Sequence, residues 1–243
     1  MTTLVRITIA LVLALLLTSC GFDINFGDFG SGEKGNGVVV EETREITEEF
    51  TVVSASEGID VFVTQGSDFD ISVEADENIM DLIGTDIKNG KLKIHAIENI
   101  GRATKKVYIT LPKVSGLHAS SGANLTAENM IQSEKLEVDA SSGAMLNANV
   151  NVSDMEIDAS SGANITLSGS AKEVYVDGSS GANIKANELQ TSSCNADASS
   201  GANISIDVID NLTAEASSGG NISYKGNPSV QKNKSVSGSV HKY

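Results

Sequence analysis

The tripeptide Ser-Ser-Gly occurs six times in the second half of the chain, beginning at Ser120, Ser141, Ser160, Ser179, Ser199 and Ser217. The intervals are 21, 19, 19, 20 and 18 residues. Self-similarity at a nearly fixed period marks a repeat architecture, in which each supersecondary unit stacks on the next. Laid over one another, the repeats align in columns. Five residues before each motif stand Ser115, Leu136, Met155, Val174, Cys194 and Leu212, and three before stand Leu117, Val138, Ile157, Val176, Ala196 and Ala214. Ala119, Ala140, Ala159, Gly178, Ala198 and Ala216 immediately precede the motifs, and Leu125, Leu146, Ile165, Ile184, Ile204 and Ile222 follow them. Apolar positions therefore recur every second residue on both sides of a bend made of tiny residues, the period of a half-buried strand.

Two short strands per repeat cannot bury one apolar side alone, but repeats stacked about 4.8 Å apart share a continuous core. The expected fold is all-β: a single-chain parallel β-helix, or β-solenoid, over 113–243. The chirality of parallel crossovers makes right-handed coiling the default. Ser-Ser-Gly is its corner, where small side chains avoid a clash and glycine supplies positive φ. Like residues then lie above one another, so Asn124, Asn164, Asn183, Asn203 and Asn221 are placed for an amide ladder, broken by Met145. Aromatics are only 4% and Trp is absent, so the core must be built from Ala, Val, Leu and Ile.

Residues 38–112 read as a mixed-β part. Phe50–Ser54 and Ile59–Val63 flank a turn at Glu57-Gly58, and 69–73, 91–95 and 107–111 alternate apolar with polar. Asn89-Gly90 is a hairpin signal, since both residues tolerate positive φ. Ile79 to Ile83 reads as one short helical turn, and no long helix is written anywhere.

The first residues read as a processing signal. Arg6 supplies a positive charge, 7–17 is a largely apolar run too short to span a bilayer, and Leu17-Thr18-Ser19-Cys20 resembles a lipobox. That resemblance implies a lipoprotein signal peptide at 1–19, lipidation of Cys20, and anchorage of the domain at a membrane. Residues 20–37, with six glycines between Gly21 and Gly37, read as a flexible tether. Cys194 is then the one remaining thiol, and its inward column makes it a small buried hydrophobe.

Formal net charge is −15 with no basic cluster, which excludes nucleic acid as a partner. Two residues before each motif, pointing outward by alternation, stand His118, Asp139, Asp158, Asp177, Asp197 and Glu215, and Glu137 and Glu156 begin a second outward column. Asp139, Asp158, Asp177, Asp197 and Glu215 form the candidate ligand or cation face. Stacked carboxylates suit Ca²⁺, which takes six to eight oxygens, but no glycine-rich calcium repeat accompanies them, and a solvated acidic stripe is the favoured reading. No metal site and no cofactor are expected. His95, His118 and His241 lack partners at ligand spacing and are read as solvated. Motif serines present in six copies argue for a corner and against a catalytic nucleophile, which needs a unique base and oxyanion site.

The order Phe50…Ile59-Asp60-Val61, Gly90-Lys91-Leu92, Val107…Leu111-Pro112, the serial Ser-Gly corners and the closing Tyr224-Lys225-Gly226-Asn227-Pro228 resembles the head GIN domain of putative auto-transporter adhesins. This domain is frequent in Bacteroidetes lipoproteins. The likeness runs from about Val40 to Tyr243. It implies a β-helical fold and an exported, cell-envelope context, and brings no catalytic residues with it. The function expected is a non-enzymatic recognition or adhesion module, held at the outer membrane through Cys20, with a glycan or protein as ligand. The competing classes are a carbohydrate-active envelope enzyme on a β-helix and a purely structural envelope protein.

Overall fold

The six Ser-Ser-Gly motifs are alike in backbone as well as in sequence. In each, the second serine is left-handed (φ from 47° to 52°) and the glycine follows with φ from 73° to 81°. Two successive positive φ values define a type I′ turn, and its closing bond is present in every copy, as in Ala123 N–H donating to the Ser120 carbonyl at 3.0 Å. In the computed structural model, which describes residues 32–233 and 237–243, these corners stack. The glycine N–H of one donates to the second serine's carbonyl of the next: Gly122 to Ser142, Gly143 to Ser161, Gly162 to Ser180, Gly181 to Ser200 and Gly201 to Ser218, all 3.0–3.1 Å. The series extends beyond the motif at both ends. Glu57-Gly58 makes the same turn, with φ of 60° and 66°, and Gly58 donates to Ser121. At the far end Gly219 donates to Ser237.

Between corners the chain is extended. The strands are β1 (Val39–Thr43), β2 (Val52–Ala55), β3 (Asp60–Gln65), β4 (Asp70–Asp76), β5 (Ile83–Lys88), β6 (Lys91–Ala96), β7 (Lys105–Leu111), β8 (Gly116–Ala119), β9 (Asn124–Ala127), β10 (Ile131–Ala140), β11 (Met145–Ala159), β12 (Asn164–Gly178), β13 (Asn183–Ala198), β14 (Asn203–Ala216), β15 (Asn221–Lys225), β16 (Ser229–Lys232) and β17 (Ser239–Lys242). The fold is a β-solenoid with a mixed-sheet N-terminal part. Each of β11 to β14 leaves one corner, crosses one face, bends, and runs up the other face to the next corner. Thus β11 pairs in parallel with β9 through 145–147 and with β10 through 150–159. One face of the coil carries the parallel order β6–β2–β8–β10–β11–β12–β13–β14–β16, and the opposite face carries β7–β3–β9–β11–β12–β13–β14–β15–β17.

The first coil comes from 52–65, where β2, the Glu57-Gly58 corner and β3 lie directly beneath β8 and β9. The division expected at 112/113 is therefore not a break in the stack. Residues 66–115 make an excursion that closes the N-terminal end. β6 and β7 add a coil beneath β2 and β3, and β5 and β4 run antiparallel to them, with β1 antiparallel to β4. A 3-10 turn at Met80–Leu82 links β4 to β5, and Asn89-Gly90 (φ 55° and 74°) closes the β5–β6 hairpin. The antiparallel strands cover the end of the core, which a bare parallel coil would leave open.

The apolar columns point inward: Leu136, Val138, Ile157, Val176, Ile184, Ile204, Ile222 and their neighbours are all but fully buried. Ser115 departs from its column. It is exposed and bonds Thr51 Oγ1 at 2.8 Å, while Val114 is buried beside it. Cys194 is buried, in the inward column where it was expected. Of the tether, residues 20–31 lie outside the described residues, as do the proposed signal at 1–19 and Cys20. Its last part is not free. Glu33 pairs with Ile100, Gly35 donates to the Arg102 carbonyl, and Gly37 donates to Asp76 Oδ1 at 2.6 Å.

Candidate recognition face

Period-2 alternation puts every second residue of β8, β10 and the later halves of β11 to β14 on the outside of one face. Parallel, in-register pairing then aligns them. The register reads His118–Asp139–Asp158–Asp177–Asp197–Glu215, so all five carboxylates expected as a column stand directly opposite one another on successive coils. Beside it runs a second line, Gly116–Glu137–Glu156–Tyr175–Asn195–Thr213, and a third, Lys135–Asp154–Glu173–Ser193–Asn211.

Like charges about 4.8 Å apart at a half-dry surface raise one another's proton affinity. Asp158, in the middle of the column, shows this most. Partial burial, reinforced by Glu156, Asp177, Asp139 and Glu137, lifts its carboxyl to about 6. Asp197 is also raised, by burial and then by Asp177 and Glu215. The ends of the column are quenched by polar partners. Asn233 Nδ2 donates to Glu215 Oε2 at 3.1 Å, and His118 stands at the other end.

His118 is not the solvated residue expected. It is half-buried, its Nδ1 is 3.0 Å from Lys91 Nζ, and its Nε2 is 3.4 Å from Glu137. Burial and the Lys91 ammonium hold its pKa down, with Glu137 and Asp139 opposing. The neutral imidazole therefore accepts from Lys91. His95 is likewise packed inside the cap, against Gly84 and 3.5 Å from Asp86, whereas His241 is exposed. Alternation could not reveal the His118 contact, because Lys91 lies 27 residues away on another strand, whereas the His95 contacts cross the short β5–β6 hairpin.

A groove of about 450 Å³ lies alongside the acidic column, lined by residues including Asp154, Glu156, Glu173, Tyr175, Asn195 and Thr213. Tyr175, 43% exposed, is the large aromatic of this face. Burial, followed by Asp177, Asp197, Asp158 and Glu156, keeps its phenol above the ordinary range. Cys194 underlies the groove with its thiol pushed up to about 12 by burial, far from nucleophilic. The opposite face mixes charges of both signs, as in Asp60 opposite Lys106 and the Lys225–Asp207 pair, with uncharged polar side chains. There the amide ladder forms in part: Asn183 Nδ2 donates to Asn164 Oδ1 at 3.4 Å and Asn203 Nδ2 to Asn183 Oδ1 at 3.2 Å, while Asn124 turns to Asp60 at 2.7 Å. Among the described residues, no group of three His, Cys, Asp or Glu side chains converges as metal ligands do. The carboxylates lie in lines, which spreads their oxygens along the coil. No helix of the described residues is long and apolar enough to cross a membrane.

The family model described as "Putative auto-transporter adhesin, head GIN domain" matches residues 49–228, from the buried Phe50 beside the first coil to Pro228 before the last. The chain belongs to this family. Solved structures of similar shape agree with the head GIN fold. A putative adhesin from Bacteroides fragilis superposes with a TM-score of 0.79 at 18% identity, covering 87% of this chain and 100% of that one. One from Parabacteroides merdae gives 0.70 at 22% identity, covering 86% and 98%. A putative lipid binding protein from Parabacteroides distasonis gives 0.64 at 18% identity, again covering 86% and 98%. At such identities the likeness speaks for the fold alone. No curated protein matches the chain.

Proposed function

We propose that this head GIN domain is a non-enzymatic recognition module of the bacterial cell envelope, lipid-anchored at the outer membrane through Cys20. The observation that carries this reading is the in-register repetition of the outer face. One outward line repeats a carboxylate coil after coil, and the polar groups beside it form lines instead of one converging cluster. Catalysis needs a unique constellation of nucleophile, base and charge-stabilising donors; adhesion to an extended partner needs a long surface with repeated contacts. The adhesin description carried by the family and by the Bacteroides fragilis and Parabacteroides merdae structures supports the same choice.

The raised Asp158 beside Glu156 is what a glycoside hydrolase reading has in its favour, since such enzymes pair a protonated carboxyl with an ionised one. One screen separates the two. The purified chain is offered to immobilised glycans and matrix proteins and, in parallel, to soluble polysaccharides with reducing-end detection. Saturable binding without cleavage is expected, and turnover of any polysaccharide would refute the module reading. Protease treatment of intact cells tests its placement: an adhesin must be shaved from the surface.

A further inference from the structure

Elsewhere in this molecule carboxylates often face a cation across neighbouring strands, and the like pairs Glu41–Glu74 and Lys88–Lys91 go no further than two residues. Asp60, Lys106 and Glu74 follow one another across β3, β7 and β4, Asp86 lies opposite Lys93, and Lys225 Nζ reaches Asp207 at 3.2 Å. The acidic face breaks that pattern. Among the described residues, neither Asp139, Asp158, Asp177 and Asp197 nor Glu156 and Glu173 has a cationic side chain within 4 Å. Lys135 stands opposite Asp154 at one end of the third line and is the one cation among the groove's lining residues. A surface kept soluble by charge is served equally well by interspersed signs. Direct stacking of like charges costs stability, and here it surrounds an exposed aromatic ring in a groove.

We propose that the groove around Tyr175 binds a Lys- or Arg-rich polypeptide segment laid along the coil, a cationic side chain resting on the Tyr175 ring between Glu156 and Asp177. This rests on the recognition-module reading and names the partner's chemistry. An ammonium or guanidinium gains from both elements of the site, the ring through cation–π attraction and the carboxylates through charge-assisted hydrogen bonds. A bare divalent cation gains nothing from the ring and needs converging oxygens, which the carboxylate lines do not offer. A neutral sugar uses the ring but gains little from so many unpaired carboxylates. Arginine-rich partners fit best, because the planar guanidinium stacks and forks at once.

The test is fluorescence anisotropy of a labelled nona-arginine peptide with the purified full chain at low salt, with a neutral chito-oligosaccharide as the second probe. Saturable peptide binding that weakens as salt rises is expected. Tyr175→Ala should weaken it about fivefold, whereas Tyr175→Phe, which keeps the ring, should not. The control Glu48→Gln/Glu49→Gln, which removes two carboxylates before the first coil and away from the groove, should leave it unchanged. Circular dichroism confirms that each variant keeps the β fold. Three results overturn the proposal: no peptide binding at low salt, equal losses from the control and from Tyr175→Ala, or Tyr175-dependent binding of the oligosaccharide alone. A glycan or matrix ligand found by the screen and unaffected by Tyr175→Ala would sink this inference while leaving the module reading intact. Polysaccharide turnover would sink the module reading itself.

Discussion

A glycine can be required for its backbone angle or for the space beside it, and the solenoid contains both kinds. At Gly162 φ is +75°, and a Cβ at that position would meet nothing within 4 Å. Gly162→Ala should therefore cost only the left-handed penalty, about 1 kcal/mol. At Gly169, inside the bend of β12, φ is +106° and a Cβ would stand 2.0 Å from the Val150 carbonyl oxygen of the coil below. Gly169→Ala should cost roughly 3 kcal/mol or more, because strain and a backbone clash add. Urea titration of the two variants checks the ranking, and equal losses would show that the bend relaxes freely. The second motif serine repeats the lesson. The corner needs positive φ at two successive residues, and serine is not an obvious left-handed residue. The sequence therefore marked the bend and its glycine but not the serine's conformation, which stacking imposes.

Taken as one strip of strands, the acidic column stores electrostatic work. The folded pKa of Asp158, about 6, exceeds its ordinary 3.8, so the folded chain binds this proton more tightly than the unfolded chain does. That contribution to stability is complete below pH 3.8 and is lost as pH rises through 6. Asp158→Asn should thus raise Tm at pH 7.5, by roughly 3 °C for an effect of about 1 kcal/mol after allowance for solvent screening. The gain should vanish near pH 4. Melts at the two pH values decide it, and a gain of the same size at both would remove the column's repulsion as its cause. The column itself was legible in the sequence, since period-2 alternation and a fixed repeat determine which residues stack. The partial burial of Asp158, the Lys91–His118 contact and the groove beside Tyr175 were not. They depend on how bulky the neighbouring coils are and, at His118, on a strand from the cap.

At the scale of the molecule, the coils are interchangeable units bound to their neighbours alone. Deleting 160–178 would join Ala159 to Ser179, replacing one corner with an identical one and restoring every inward column. The shortened chain should fold, with an unchanged β-type circular dichroism spectrum and a Tm lowered by several degrees, as nearest-neighbour stability requires. Failure to fold would mean that the coils are not equivalent. The cap is less modular, and it was also the least legible part. Its strands were marked by alternation, yet nothing local shows that β2 joins β8 at a sequence separation of 64, as the Thr51–Ser115 bond does.

The line of hydrogen bonds through the corners also gives the molecule a mechanical direction. Peptide N–H and C=O groups point along the coil axis on both faces and through each corner, so a pull along that axis loads the coils in series. The coil with the least to hold it is the last one, where β16 and β17 contribute four residues each. A Lys232 side chain bridges that coil by donating to the Val240 carbonyl at 2.7 Å. Under tension from a bound partner, this end should peel first, coil by coil, while the capped N-terminal end keeps its grip.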